Sequence, residues 1–322
     1  MRGKQNLKIK AAPMCAEKPF AERLRQDWRK NYSLYILVLP VIAFYLIFCY
    51  RPMYGILMAF QDFNFRAGIA ESPWVGTKHF MRFFADPYFV RNIRNTINIS
   101  FASILFGFPA PIILALLINE LNKKWFVKTV QTITYLPHFI SLVVICGMLK
   151  DFLAADGFVT QIIATLTGQE NRESLLSNQS LFVPIYVLSD IWQQVGWSSI
   201  IYIAALTGIN AELYEAASID GAGRFKQLLH VTLPAIMPTV IIMLIMRLGH
   251  VLSVGYEKIM LLTNPFNAET SEVLSYYVYK KGIVGGEYSL ATAAGLFNSV
   301  INFVFVILMN KLSRKVGETS LW

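Results

Sequence analysis

Charge is what this 322-residue chain has little of, since Asp, Glu, Lys and Arg together make up 15% of it. A soluble globular protein carries roughly 25% charged residues to solvate its surface. The shortfall excludes an ordinary soluble domain, and the apolar share of 55% with a mean hydropathy of +0.47 points to lipid as the second solvent. Cysteine is scarce as well. Cys15, Cys49 and Cys146 have no paired short spacing, which excludes a disulfide framework and a cysteine metal site. The four histidines (His79, His138, His230, His250) lie far apart, and no H-E-x-x-H, phosphate loop, dinucleotide fingerprint or nucleophile elbow occurs. No covalent catalysis and no metal site are therefore expected. Low-hydrophobicity disorder is excluded by 23 Phe, 15 Tyr and 6 Trp.

What is present is a series of long apolar runs. A bilayer core about 30 Å thick needs about 20 apolar residues per helix. Six stretches satisfy this: 34–52, 96–118, 132–149, 181–206, 236–262 and 291–310. The expected fold is all-α and polytopic, with six transmembrane helices. Its parts are a basic tail (1–32), a first span with a long outer loop (33–95), a core of five spans with a cytoplasmic loop at 208–234 (96–311), and a C-terminal tail (312–322). Prolines 40, 109, 111, 137 and 184 are tolerable inside membrane helices, where neighbours re-satisfy freed carbonyls; Pro137 makes the third span the weakest.

Basic residues set the orientation. Nine Lys/Arg precede the first span, and with those of the loops after spans two and four and of the C-terminal tail they total 17, against 10 on the other side. That bias places both termini in the cytoplasm. The dissent is the first outer loop, with Arg51, Arg66, Lys78, Arg82, Arg91 and Arg94; at about 45 residues its length discounts it. A cleavable signal is excluded because 33 residues precede the first apolar run. The net charge of +9 follows from the orientation bias, so no nucleic-acid partner is expected. Phe20, Leu24 and Trp28 recur at helical spacing among basic residues, as in a helix lying on the lipid surface; a solvated tail fits equally.

The loop between spans four and five carries the most specific pattern. Asn210 is a plausible N-cap, Gly221 and Gly223 break the helix, and Phe225, Leu228 and Leu229 share one face of a second short helix that Pro234 stops before the membrane. The spacing E-A-A-x(3)-G-x(9)-[I/V]-x-L-P is met at Glu215, Ala216, Ala217, Gly221, Val231, Leu233 and Pro234. In this it resembles the membrane subunits of binding-protein-dependent ABC importers. Further stretches are similar to the polysaccharide and aldouronate-type branch of that family, and within it to the first membrane subunit of alginate importers. They are Pro52–Gly55, Ser72–Gly76, Arg94–Thr96, Phe106–Pro111, Tyr135–Ser141, Ser189–Trp192 and the ending Gly317–Trp322.

The resemblance implies a type I importer permease fold and a non-catalytic subunit. It implies as partners a second homologous membrane subunit, two ATP-binding subunits that hold ATP and magnesium, a soluble extracytoplasmic sugar-binding protein, and membrane lipid. No cofactor belongs to this chain. The loop would be the coupling helix: Glu215 and Asp220 offer charge to a basic groove, Ala216, Ala217 and Gly221 permit close approach, and Leu233–Pro234 fix the return. The expected sugar pathway takes Trp192, Gln193, Gln194 and Trp197 from span four, Arg247 and His250 from span five, and Asn298 and Asn302 from span six. Asp190 and Arg247 would either pair within the bundle, or Arg247 and His250 would face the lumen and meet an acidic sugar. The rival class is an ion-coupled secondary transporter of sugars, which usually shows repeats with interrupted helices.

Overall fold

The computed structural model describes residues 20–168 and 173–316. Its elements are helices α1 (Phe20–Phe44), α2 (Lys78–Phe84), α3 (Phe89–Ala102), α4 (Pro109–Asn119), α5 (Lys124–Tyr135), α6 (Leu142–Phe152), α7 (Phe182–Thr207), α8 (Ala211–Ile219), α9 (Leu233–Leu248), α10 (Tyr256–Leu262), α11 (Leu274–Tyr279) and α12 (Tyr288–Val316), with shorter turns between. Among the described residues the only β pairing is an isolated bridge between Gln61 and Trp74. The chain divides after Gly55 into two units. The expected grouping of the first span with the loop up to residue 95 does not coincide with this division. The loop goes with the core because it is bonded to it: Ser289 at the start of α12 donates to the Gln61 carbonyl at 2.6 Å and accepts from Phe63 N–H at 2.9 Å.

In the first unit the helix is already formed at Phe20. The tail before it, and the side chains of Phe20 and Leu24, lie outside what is described, as does the ending Gly317–Trp322. Among the described residues four helices are long and apolar enough to cross a membrane: Lys30–Phe60, Phe89–Asn119, Arg224–Leu248 and Tyr288–Lys315. α7 spans 26 residues, about 39 Å at 1.5 Å per residue. Its length suffices, but Asp190, Gln193 and Gln194 make one side of it polar.

Three expectations need correction. The third span is not one straight helix: Lys124–Phe139 and Leu142–Phe152 meet at 96°. Pro137 begins a 3₁₀ turn and Ile140 is extended, so the ladder cannot continue. The fifth span ends at Leu248, not Leu262; an irregular stretch at 249–255 separates it from α10. The third correction concerns Pro234, which does not stop a helix. A π turn over Leu228–Thr232 precedes it, and Leu233 N–H bonds five residues back to the Leu228 carbonyl. The wider turn shifts the ladder where proline lacks a donor. The same device recurs, with π turns at Tyr45–Tyr50 and Ser103–Gly107 just before Pro52 and Pro109.

Two apolar cores hold α7 in place. Ile99, Cys146, Phe182, Tyr186, Ile259 and Leu262 join α3, α6, α7 and α10; Ala115, Tyr202, Leu206 and Ile236 join α4, α7 and α9. Gly196 sits where α7 crosses α5, and a Cβ there would lie 2.1 Å from the Thr134 carbonyl oxygen. Only glycine admits that approach.

Candidate coupling loop and translocation cavity

The loop between α7 and α9 is stiffened from within. Asn210 caps α8, its side chain accepting from Glu212 N–H at 3.1 Å. At the other end Ala222 N–H reaches the Ala217 carbonyl (2.9 Å) and Gly221 N–H the Ser218 carbonyl (3.1 Å), with Gly221 at φ +77°. That is a complete Schellman closure, and its left-handed residue is the one the motif fixes as glycine. Gln227 donates to Ser218 Oγ and to the Ala222 carbonyl, and the Tyr214 and Thr232 hydroxyls are bonded at 3.0 Å.

So braced, the loop leaves apolar groups outside. Ile219 is 87% exposed and Phe225 71%, with Leu213 beside them in sequence. Glu215, Ala216, Asp220 and Gly221 are exposed too, Ala217 and Leu233 are half-buried, and Pro234 is exposed at the start of α9. A rigid, capped projection carrying apolar and acidic groups is shaped to dock rather than to catalyse.

The second feature is a polar cavity of about 570 Å³ along α7. Gln193, Gln194, Arg247 and His250 line it, as the sequence reading expected, together with Asp190, Ser100, Ser103 and Tyr186. A second cavity of about 350 Å³ shares Asp190, Gln194 and Arg247 and runs on past the π turn to Gly107 and Pro111. Irregular backbone at membrane depth is tolerated where it lines such a cavity, and residues 250, 251 and 253–255 do so. Side chains from three helices tie that stretch. Ser100 donates to the Val251 carbonyl, Ser275 donates to the Val254 carbonyl, and Asn302 accepts from Leu252 N–H (3.1 Å) while donating to Ser253 Oγ (2.9 Å).

Four expected pathway residues are not brought to either cavity. Trp192 is exposed, and Trp197 stacks on His138 with ring centroids 4.5 Å apart. Asn302 is occupied with the break, and Asn298 lines neither cavity. Periodicity marked these residues as polar or aromatic in a span but not which side they face. His138, at the bend, lies 2.9 Å through Nδ1 from Gln194 Oε1 and so orients a cavity amide.

The expected Asp190–Arg247 pair is also corrected. Asp190 lies 3.7 Å from Lys258, whose ammonium donates to the Tyr186 carbonyl at 3.1 Å and sits over the Tyr186 ring at 4.6 Å. Lys258 is only 4% exposed. Sequence reading missed it, although it lay within the apolar run assigned to span five. An ionisable residue there was the available signal.

A third group lies on the 56–95 segment. Arg91 bonds Glu272 and Glu269, Arg94 meets Glu269 at 3.3 Å, Arg82 meets Glu287 at 2.6 Å and Lys78 meets Asp62 at 2.6 Å. Four of the six basic residues that dissented from the orientation are thus neutralised by neighbouring carboxylates, a reason beyond loop length. The hydrogen bond from Lys78, helped by His79 at 2.9 Å, holds the Asp62 carboxyl below the usual carboxylate range. Burial and the Asp86 carboxylate, which accepts from its hydroxyl at 2.7 Å, push the Tyr277 phenol up.

Several long apolar helices, a polar cavity among them and an exposed, capped projection define a membrane transport subunit. The chain belongs to the family described as binding-protein-dependent transport system inner membrane component, whose model matches residues 107–318. It is 42% identical over 289 residues to the polygalacturonan/rhamnogalacturonan transport system permease protein YteP of Bacillus subtilis strain 168, covering 90% of each chain. It is 41% identical to protein LplB of the same organism, over 91% of this chain and 92% of that one. Among solved structures it is similar to a chain of a bacterial alginate ABC transporter in complex with an alginate pentasaccharide-bound periplasmic protein. The TM-score is 0.84 and the identity 43%, covering 93% of this chain and all of that chain. The fold is therefore that of a type I importer permease, a non-catalytic membrane component. The break at 249–255 would also suit a secondary transporter; family membership sets that reading aside.

Proposed function

We propose that this chain forms half of the membrane pathway of an ATP-driven importer of acidic oligosaccharides such as alginate or other uronate oligomers. The rigid, exposed loop around Glu215–Gly221 is the observation that carries the reading. Two ATP-binding subunits, which hold the ATP and magnesium, dock on it, and a second homologous membrane subunit completes the pathway. A soluble extracytoplasmic binding protein delivers the sugar. The chain crosses the cytoplasmic membrane six times, counting α7 and the bent pair, with both termini and the 208–234 loop in the cytoplasm. The substrates of its relatives, polygalacturonan, rhamnogalacturonan and alginate, support an acidic polymer.

Closure of the ATP-binding subunits has to favour one state of the membrane helices, since only differential contact shifts an equilibrium. Ile219 and Phe225 supply apolar contact in this reading, and Glu215 supplies a charge-assisted hydrogen bond to a basic residue. The stiff closure at Gly221 passes force into α9 instead of absorbing it. The test is co-purification of the four-subunit core and stimulation of its ATPase by loaded binding protein. Gly221→Asp is expected to abolish uptake and the stimulation while the subunit still inserts in the membrane; normal uptake would refute the assignment of the loop.

A further inference from the structure

Arg247 stands in the last turn of α9, at the edge of both cavities. A charged side chain within a membrane span is costly to bury, so it has to be matched by a partner or by a polar cavity. Lys258 has its partners: the Asp190 carboxylate, the Tyr186 carbonyl and the Tyr186 ring. Arg247 has none. Among the described residues no carboxylate lies within 4.0 Å of its guanidinium, and Asp190, which lines the same space, is paired with Lys258. Beside it stand amides and a hydroxyl suited to sugar oxygens, from Gln193, Gln194 and Ser103.

From this we infer that Arg247 is the specificity-determining residue that reads a uronate carboxylate in the cavity. The inference rests on the importer function proposed above and goes further by assigning the charge selection to one side chain. The planar fork of arginine accepts a carboxylate through two parallel hydrogen bonds, which a lysine ammonium cannot reproduce. Lys258 contributes by occupying Asp190, which would otherwise compete for Arg247 or repel the sugar. Glu257 is the opposing charge at the same cavity, exposed and without an ion pair among the described residues. The cavity is thus close to neutral when empty, with its one uncommitted guanidinium ready for an incoming anion.

The experiment is equilibrium binding to the whole purified complex, with the binding protein left out so that the membrane cavity alone is read. The probes are an alginate pentasaccharide and its carboxyl-reduced, neutral counterpart. A hydrogen bond to a charged group contributes about 1.5–3 kcal/mol, so the wild type is expected to prefer the acidic sugar by roughly ten- to a hundredfold. Arg247→Gln is expected to remove most of that preference, weakening the acidic sugar far more than the neutral one. Arg247→Lys, which keeps the charge and so the balance of the cavity, is expected to retain an intermediate preference. Glu257→Gln is expected to tighten the acidic sugar alone. Undiminished acid preference in Arg247→Gln, or equal loss for both sugars in Arg247→Gln and Arg247→Lys, would overturn the role of Arg247. Failure of the wild type to bind either sugar would overturn this inference, whereas failure of loaded binding protein to stimulate the ATPase of the complex would overturn the importer reading on which it rests.

Discussion

At the scale of single residues, the structure separates a buried, paired cation from one that faces the cavity. Lys258 is enclosed by Asp190 and Tyr186, whereas Arg247, eleven residues earlier, faces the cavity. His138 belongs with the positioning residues, because it holds Gln194 at 2.9 Å while stacked on Trp197. Asp62 shows how a surface charge couples to pH. Its carboxyl is held low by Lys78 first, so the folded chain binds the proton less readily than the unfolded chain. Stability from this group is therefore present above about pH 4 and lost as pH falls through the lowered value. Asp62→Asn is expected to lower the melting temperature of the purified complex at pH 6, with the gap to the wild type closing toward pH 3. A gap independent of pH would show that the carboxylate is not the source.

At the scale of elements, prolines and glycines decide where helices yield. The π turns before Pro52, Pro109 and Pro234 let long helices pass a missing donor, and the one at Ser103–Gly107 borders both cavities. Sequence reading took Pro234 for a stop because it weighed the lost hydrogen bond and not the neighbouring turn that absorbs the loss. Gly196 acts in the opposite sense, by permitting the closest helix contact in the bundle around α5 and α7. Gly196→Ala puts a methyl against the Thr134 carbonyl. It is expected to destabilise the subunit by about 1–3 kcal/mol, read as a lower melting temperature of the assembled complex. An unchanged melting temperature would mean that the helices separate at no cost.

At the scale of the molecule, the 56–95 segment is tied to later parts of the chain by ion pairs and by an apolar cluster of Phe83 with Leu274, Tyr277, Leu290 and Ala294. Arg91 and Glu272 are mostly buried and bonded to each other, with Glu269, Arg94 and Lys280 around them. Together with the aromatic contacts of Phe83 with Phe89 and Phe297, they fix α2 and α3 against α12 and the stretch before α11. A double-mutant cycle of Arg91→Ala and Glu272→Ala is expected to show a coupling of about 1 kcal/mol or more in unfolding of the complex. Additive losses would leave the pair without energetic weight.

The sequence by itself determined the solvent, the family and the cap and closure of the loop at 210–222. Those rest on composition and on local spacing: apolar runs of bilayer length, and Glu215, Gly221 and Pro234 within one short segment, where the Asn210 cap and the Gly221 closure are decided by neighbours in the chain. What only the tertiary structure decided is which polar groups meet. Asp190 is joined to Lys258 and not to Arg247, Asn302 holds the break at 249–255, and Trp197 packs on His138. Helical periodicity places a residue on a face, but which face meets a cavity depends on bends at Pro137 and after Leu248. Pro137 marks where a helix can yield, but the angle taken there and the break after Leu248 are set against helices distant in the chain.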